Sequence, residues 1–453
     1  MKTNSISSLW WYTVQFLQLF RDLKYDAVPI NLLLLRDFQK FYQDKKLQKP
    51  ITETLSGGIQ TNCTKYLLKT NPLLKQTGNK SYTLIRANLY PLTQGLDGEN
   101  FIFLAHLRSE YLLVKEKLPD RKVIYLNSLP EKSIAKAEEH ELLQRLEKRL
   151  TDNIPNFFKS KLFAVWLKQK TVATLARIRK VHYLFDHYSI KRTIYGSTIN
   201  EHGVLITSYA QTRGIPTVNL QHGLLGKLGH LPVNADLNLV WSQADQDFLI
   251  SEGVDSRKIR IIGPYFVQSL GQTGKSRYLK IMRKLKRLKV LVALQPLGVE
   301  ANRKLIAELE GAKEAFPEWI AIFYKLHPEQ RNILKYQNLI KKRHSYLVPH
   351  GSYSLHELLR EADLVITPFS TVAYEAILLN KPVVFFGKQR YLYYLSGEAV
   401  FLNRHLPAKE LFTRIINDNN YLNLIRNKTK LKSGVPALTN NQEIWRIIVE
   451  LTG

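Results

Sequence analysis

Residues 362–387, ADLVITPFSTVAYEAILLNKPVVFFG, set two β-branched apolar runs on either side of a helix-forming stretch that begins with a hydroxyl pair. The apolar period changes from strand to helix and back within this one segment. Two strands joined through a helix lie parallel, because only a long crossover returns the chain to the same direction. A parallel sheet needs helices on both faces, which excludes all-β and all-helical classes for this part of the chain. The first strand empties into Ser370 and Thr371 at the helix start. The N–H groups there lack an intrahelical partner and carry the positive end of the helix dipole, so a phosphate suits the place. Glu375 lies one turn further on the same helix face as Thr371, where a carboxylate can accept from ribose hydroxyls. The plainer alternative is that one of the two hydroxyls only caps the helix.

The same alternation runs through most of the chain. YTLIRANLY, KVIYLN (122–127) and RTIYGSTIN (192–200) read as strands, and LLVKEKL, HELLQRLEKRL and LKQKTVATLARIRKV as helices. A helix over VLITSYAQTRG follows, then strands over 216–220 and 237–241, a helix over 245–252 and a strand over 259–263. Residues 264–289 break the pattern with Gly271, Gly274 and a dense basic run, which reads as a linker plus a basic helix. The alternation restarts with VLVALQP, a helix over 300–315, WIAIFYKL, SYLVP and a helix over 354–361, and the tail from Pro407 reads as helices. With 453 residues, 45% of them apolar, the chain is long enough for more than one packed core. The expected organisation is a basic amphipathic helical segment over 1–60, a first α/β domain over 61–265 and a second over 275–453. Both domains are expected to be doubly wound, facing each other across a cleft.

A formal net charge of +28 favours polyanions as partners: nucleic acid, an anionic membrane surface or phosphorylated small molecules. The basic residues are spread along the chain and form no nucleic-acid module, which makes nucleic acid unlikely as a partner. The single cysteine, Cys63, excludes an internal disulfide and fits a cytoplasmic setting. No apolar run is long enough for a spanning helix. The first 42 residues interleave Trp10, Trp11, Phe16 and Phe20 with Arg21, Lys24, Arg36 and Lys40. That pattern fits either an interfacial helix at the inner membrane face or a helix packed into the first domain.

In open parallel sheets, ligands bind beyond the carboxyl ends of the strands. Lys325, His327 and Pro328 close the WIAIFYKL run, and the proline ends the strand and aims the imidazole over the sheet edge. His350 and Gly351 follow SYLVP, Glu201-His202-Gly203 follow RTIYGSTIN, and Gln221-His222-Gly223 follow PTVNL. Each alone could be a loop residue with no task. Together they place polar groups on the same rim in both domains. GQTGKS (271–276) has its glycines too close together for a phosphate-binding P-loop, and no cluster has metal-ligand spacing.

HPE at 327–329, followed by LHELLREADLVITPFSTVAYEAILLNKPVVFF, resembles the C-terminal half of GT-B glycosyltransferases. The pattern is similar to the branch that holds bacterial polysialyltransferases, capsule polysaccharide transferases and CDP-glycerol glycerophosphotransferases. GIPTVNLQHGLLG and IRIIGPY resemble the end of the N-terminal domain in related surface-carbohydrate enzymes, so the likeness covers roughly residues 190–390. The resemblance implies a GT-B fold of two Rossmann-like domains and a metal-independent, inverting transfer. The sugar would pass from a nucleotide-activated donor, CMP- or CDP-linked, to a growing surface polysaccharide or lipid-linked glycan. It implies donor contacts from His327, Pro328, Ser370, Thr371, Val372 and Glu375. In that branch an acidic pair before a glycine supplies the general base; here the matching place is Glu201-His202-Gly203, with Glu201 as candidate base and Asp186 and His222 as competitors. No bound cofactor is implied. Two other readings stand beside it: a nucleotide-sugar 2-epimerase of the same fold, and a non-enzymatic protein that binds anionic polymers or membranes. The epimerase would need acidic residues spread through its cleft, and the sequence shows no such set.

Overall fold

Two parallel sheets organise the chain, each made of short apolar strands separated by helices, as the alternation requires. The computed structural model describes residues 3–44, 55–68, 81–131, 136–265, 277–295, 299–327, 330, 334–340, 343–348, 355–368, 370–387, 392–403, 405–432 and 439–452. The chain divides into two units, one of Met1–Trp241, Asp245–Tyr265 and Thr439–Gly453, the other of Ser242–Ala244 and Phe266–Leu438.

The first unit carries seven strands: β1 (Tyr82–Arg86), β2 (Phe101–Ala105), β3 (Lys122–Tyr125), β4 (Ile190–Tyr195), β5 (Thr217–Leu220), β6 (Leu237–Val240) and β7 (Ile259–Ile261). They run in the order β3-β2-β1-β4-β5-β6-β7, every pair parallel. Strand β2, FIFLA, is absent from the sequence-based set of strands. All five of its residues are buried, so it lacks the polar alternation by which a half-exposed strand is recognised. Strand β4 stops at Tyr195, where RTIYGSTIN was expected to stay extended to Asn200; residues 196–200 form a loop, and a helix begins at Glu201.

The N-terminal helix, Thr3–Leu19, is packed rather than interfacial. Trp10, Phe16 and Phe20 are at most 2% exposed, and Phe16 stacks on Phe38 with ring centroids 4.3 Å apart. Aromatics buried in this way are unavailable to a lipid surface. At the other end of the chain, helix Asn441–Thr452 returns to the first unit and buries Ile444, Trp445 and Ile448 in the same core as β1, β2 and β4. The Trp445 indole donates to Glu99 at 3.1 Å, which ties this helix to the loop before β2.

The second unit carries β8 (Leu288–Ala293), β9 (Ile320–Lys325), β10 (Ser345–Val348), β11 (Leu364–Thr367), β12 (Val383–Phe386) and β13 (Val400–Leu402). Their order, β10-β9-β8-β11-β12-β13, is that of the dinucleotide-binding doubly wound fold, again all parallel. The short edge strand β13 was not anticipated. The basic helix of the expected linker spans Arg277–Lys284, and GQTGKS lies outside the described residues. Helix Val299–Lys313 buries Leu305, Ile306 and Leu309 against Leu411, Phe412 and Ile415. Gly311 on its outer face has nothing within 4 Å of a Cβ built there. Gly311→Ala is therefore expected to stabilise the second unit by about 0.5–1 kcal/mol, through helix propensity alone, as a raised midpoint of urea unfolding.

Candidate active site

In the first unit the strand order reverses between β1 and β4, and the crevice expected there is present. A pocket of about 410 Å³ opens at the carboxyl ends of β1, β2, β4 and β5, lined among others by Arg86, His106, Tyr195, Ser197, His202 and His222. This is ample for one sugar ring. Behind its wall, Glu110 takes Arg86 in a two-pronged pair, Nε to Oε1 at 2.7 Å and Nη2 to Oε2 at 2.9 Å. The same carboxylate accepts the backbone N–H groups of Asn88 and His106, both at 2.9 Å. The remaining Arg86 nitrogen donates to His106 Nδ1, and His106 Nε2 lies 3.2 Å from the Tyr195 hydroxyl. Burial, then the charges of Arg86 and His202, hold His106 far below the ordinary histidine range, so its ring is neutral. Burial raises the Tyr195 phenol.

His222 is a further lining residue of the pocket, exposed to solvent in part. Its Nδ1 bonds to the Gly196 carbonyl. A carbonyl only accepts, so the proton sits on Nδ1 and Nε2 keeps its lone pair. Surrounding protein atoms, more than the nearby Arg86 charge, lower the His222 pKa, while the Gly196 bond partly offsets them. Its neighbour His230 is pushed down to about 3, chiefly by burial. A Cβ at Gly196 would come within 3.1 Å of the His222 ring, which would have to give by a few tenths of an ångström to admit it. Ser197 adds a buried hydroxyl with no hydrogen-bond partner among the described residues.

The other first-unit candidates fall out differently. Gln221 is structural: its amide donates to Gly223 and Asp245 and accepts from the Trp241 N–H, each within 3.0 Å. Glu201 opens the helix Glu201–Thr212, and its side chain lies outside the described part. Asp186 belongs to a separate cluster, 3.1 Å from both His182 and Arg213, and does not line the pocket. Arg86, His106 and Tyr195 were missed as site residues. The rim rule would have reached Arg86 and Tyr195 as the last residues of their strands, but His106 required the unrecognised β2.

In the second unit the reversal lies between β8 and β11, and the Thr367 hydroxyl bonds across it to the Ala293 carbonyl at 3.1 Å. Ser370 caps the helix Thr371–Leu378, accepting the Val372 N–H at 3.1 Å, and its carbonyl accepts from Ala373. Among the described residues the Thr371 amide has no such partner. Glu375 faces His356 at 2.9 Å. Burial lowers the Lys325 amine and the Glu375 charge partly offsets this. His327 is half-buried, and its backbone exchanges hydrogen bonds with Gln330, both at 2.8 Å. Gln330 also reaches Gln295 and Tyr336, and Asn302 joins the same group, so the loops after β8 and β9 are held together. Pro328 and His350 lie outside the described residues. Among the described residues no three His, Cys, Asp or Glu side chains gather as a metal site.

Each unit is thus a doubly wound α/β domain with polar groups at its switch point. The UDP-N-acetylglucosamine 2-epimerase family matches residues 231–405, under half of the chain. Among solved structures, the Staphylococcus aureus MnaA–UDP complex aligns with TM-score 0.56 and 12% identity over 82% of this chain and 97% of that one. The Neisseria meningitidis UDP-GlcNAc 2-epimerase bound to UDP-GlcNAc aligns with TM-score 0.53 and 14% identity over 82% and 98%. At these identities the structures establish the fold. A curated relative, the teichoic acid glycerol-phosphate primase of Bacillus subtilis, is 37% identical over 76 residues, 17% of this chain and only 19% of that protein.

The expected glycosyltransferase of capsule or surface polysaccharide, with a CMP- or CDP-linked donor, is corrected by the epimerase family match. The physical reason lies in the motifs used. A histidine after one strand and a hydroxyl pair at a helix start point at most to an anion-binding rim, and they are blind to what then happens to a sugar. What the comparisons support is an enzyme, and not specifically a glycosyltransferase.

Proposed function

We propose that the chain is a nucleotide-sugar 2-epimerase acting on a UDP-linked N-acetylhexosamine. The observation that carries this reading is the epimerase family match over residues 231–405, which takes in the switch-point loops of the second unit. Ser370, the Thr371 amide and Lys325 would hold the diphosphate, Glu375 the ribose, and His327 with Pro328 the neighbouring phosphate or base edge. An excess of 28 positive charges favours capture of so anionic a substrate. The first-unit pocket, lined by hydroxyl and imidazole groups, is the sugar site in this reading.

Inverting C2 requires its C–H bond to break on one face of the ring and re-form on the other. The electron pair of that bond forms a C1=C2 double bond as the C1–O bond to UDP breaks, and both steps reverse as a proton returns to the other face. The site must therefore contain a group that takes a proton. His222 is that group in this reading, with Nε2 held basic by the Gly196 bond. Glu201 remains the second candidate. A cytoplasmic setting follows for an enzyme of activated sugars.

The test is to incubate the protein with UDP-GlcNAc alone in D₂O and follow it by proton NMR. The expected result is a second anomeric signal from the 2-epimer and deuterium at C2, with no acceptor present. An unchanged spectrum at high enzyme concentration would overturn the assignment.

A further inference from the structure

We propose that Tyr195 is a substrate-contacting residue: its hydroxyl donates to an oxygen of the sugar in the first-unit pocket, and Glu110 and Arg86 hold it in that role through His106. This rests on the reading of the pocket as the sugar site. The argument is a proton inventory. A guanidinium can only donate, so the Arg86–His106 contact makes Nδ1 an acceptor. The single proton of the neutral ring then sits on Nε2 and is donated to the Tyr195 oxygen, 3.2 Å away. That leaves the Tyr195 proton for another acceptor. Among the described residues none takes it, and Tyr195 lines the pocket.

The chain therefore has a direction, from Glu110 through Arg86 and His106 to a hydroxyl whose remaining donor faces the ligand. Polarisation by the guanidinium at its far end strengthens each later bond. Three of the five Arg86 N–H groups, one on each nitrogen, are engaged by Glu110 and His106, which fixes the guanidinium at the head of this chain. The group that Tyr195 itself offers is a neutral hydroxyl, which fits hydroxyl or amide oxygens. Glu110, with five donors converging on it, is the fixed end.

The test is a double-mutant cycle read by turnover of UDP-GlcNAc, by UDP affinity, and by NMR titration with free N-acetylglucosamine. Tyr195→Phe should lower kcat about 10- to 100-fold and weaken free-sugar binding, with UDP affinity unchanged and Tm lowered by a few degrees as the His106 N–H loses its acceptor. Arg86→Gln should do the same in the wild-type background and add less than about 2-fold in the Tyr195→Phe background, since it acts only through that hydroxyl. If Arg86→Gln does not fold, His106→Gln completes the same cycle. Wild-type kcat and sugar affinity in Tyr195→Phe, or additive losses in the double variant, would overturn the inference alone. A wild-type protein that binds the sugar without epimerising it overturns the proposed function, and sugar binding in Tyr195→Phe then still decides this one. A wild-type protein that does neither overturns both.

Discussion

Turnover of a His222→Gln variant falls by about 10²- to 10⁴-fold, the range for loss of a positioned proton acceptor, while UDP affinity stays within about 2-fold of wild type. Glutamine is the informative substitution because its amide can still donate to the Gly196 carbonyl, keeping the wall in place while removing the basic nitrogen. The pH profile supplies an independent check. The acceptor works only when unprotonated, so activity is lost as pH falls through its pKa. Desolvation places that pKa below the ordinary histidine value of 6.5, and the acid limb of kcat/KM should accordingly fall below that pH. In His222→Gln that limb disappears from whatever activity remains. A variant with wild-type kcat, or an acid limb that survives the substitution, moves the role to Glu201.

What the sequence made legible is local. The β11–helix–β12 unit, most flanking strands and the Ser370 cap follow from periodicity and turn chemistry within a few residues. The rim rule then placed His222, His327 and Ser370 at strand ends without any knowledge of strand order. What stayed hidden is whatever depends on two distant segments meeting. Arg86, His106 and Tyr195 come from three strands, and they touch only because β1 lies between β2 and β4. Strand β2 itself escaped notice because a strand buried on both faces shows no alternation. Gln221 and His222 are adjacent and looked equivalent, yet in the loop after β5 one is held in the core against Trp241 and the other stays on the wall. The error about transfer had a different source. Residues that bind the nucleotide are shared by enzymes that move a sugar and enzymes that invert it, so the distinction has to come from the pocket in the other unit.

Gly203→Ala destabilises the first unit by about 3 kcal/mol or more, beyond an ordinary overpacking effect. A Cβ on Gly203 would lie 1.8 Å from the Ser197 carbonyl oxygen and 2.9 Å from its carbon, and neither atom belongs to a side chain that can rotate away. Either the helix Glu201–Thr212 lifts at its first turn, or the loop after β4 moves. The first outcome carries His202 out of the pocket. The second shifts Gly196, whose carbonyl anchors His222. Both couple stability to chemistry, so Gly203→Ala should lose kcat along with its urea midpoint, with the denaturant slope unchanged. Gly311→Ala, also a helical glycine but open on its outer side, should move the other way and leave kcat alone. Equal midpoints for wild type and Gly203→Ala would mean that the loop and helix do not cross as closely as described, and the Gly196 anchor for His222 would fall with them.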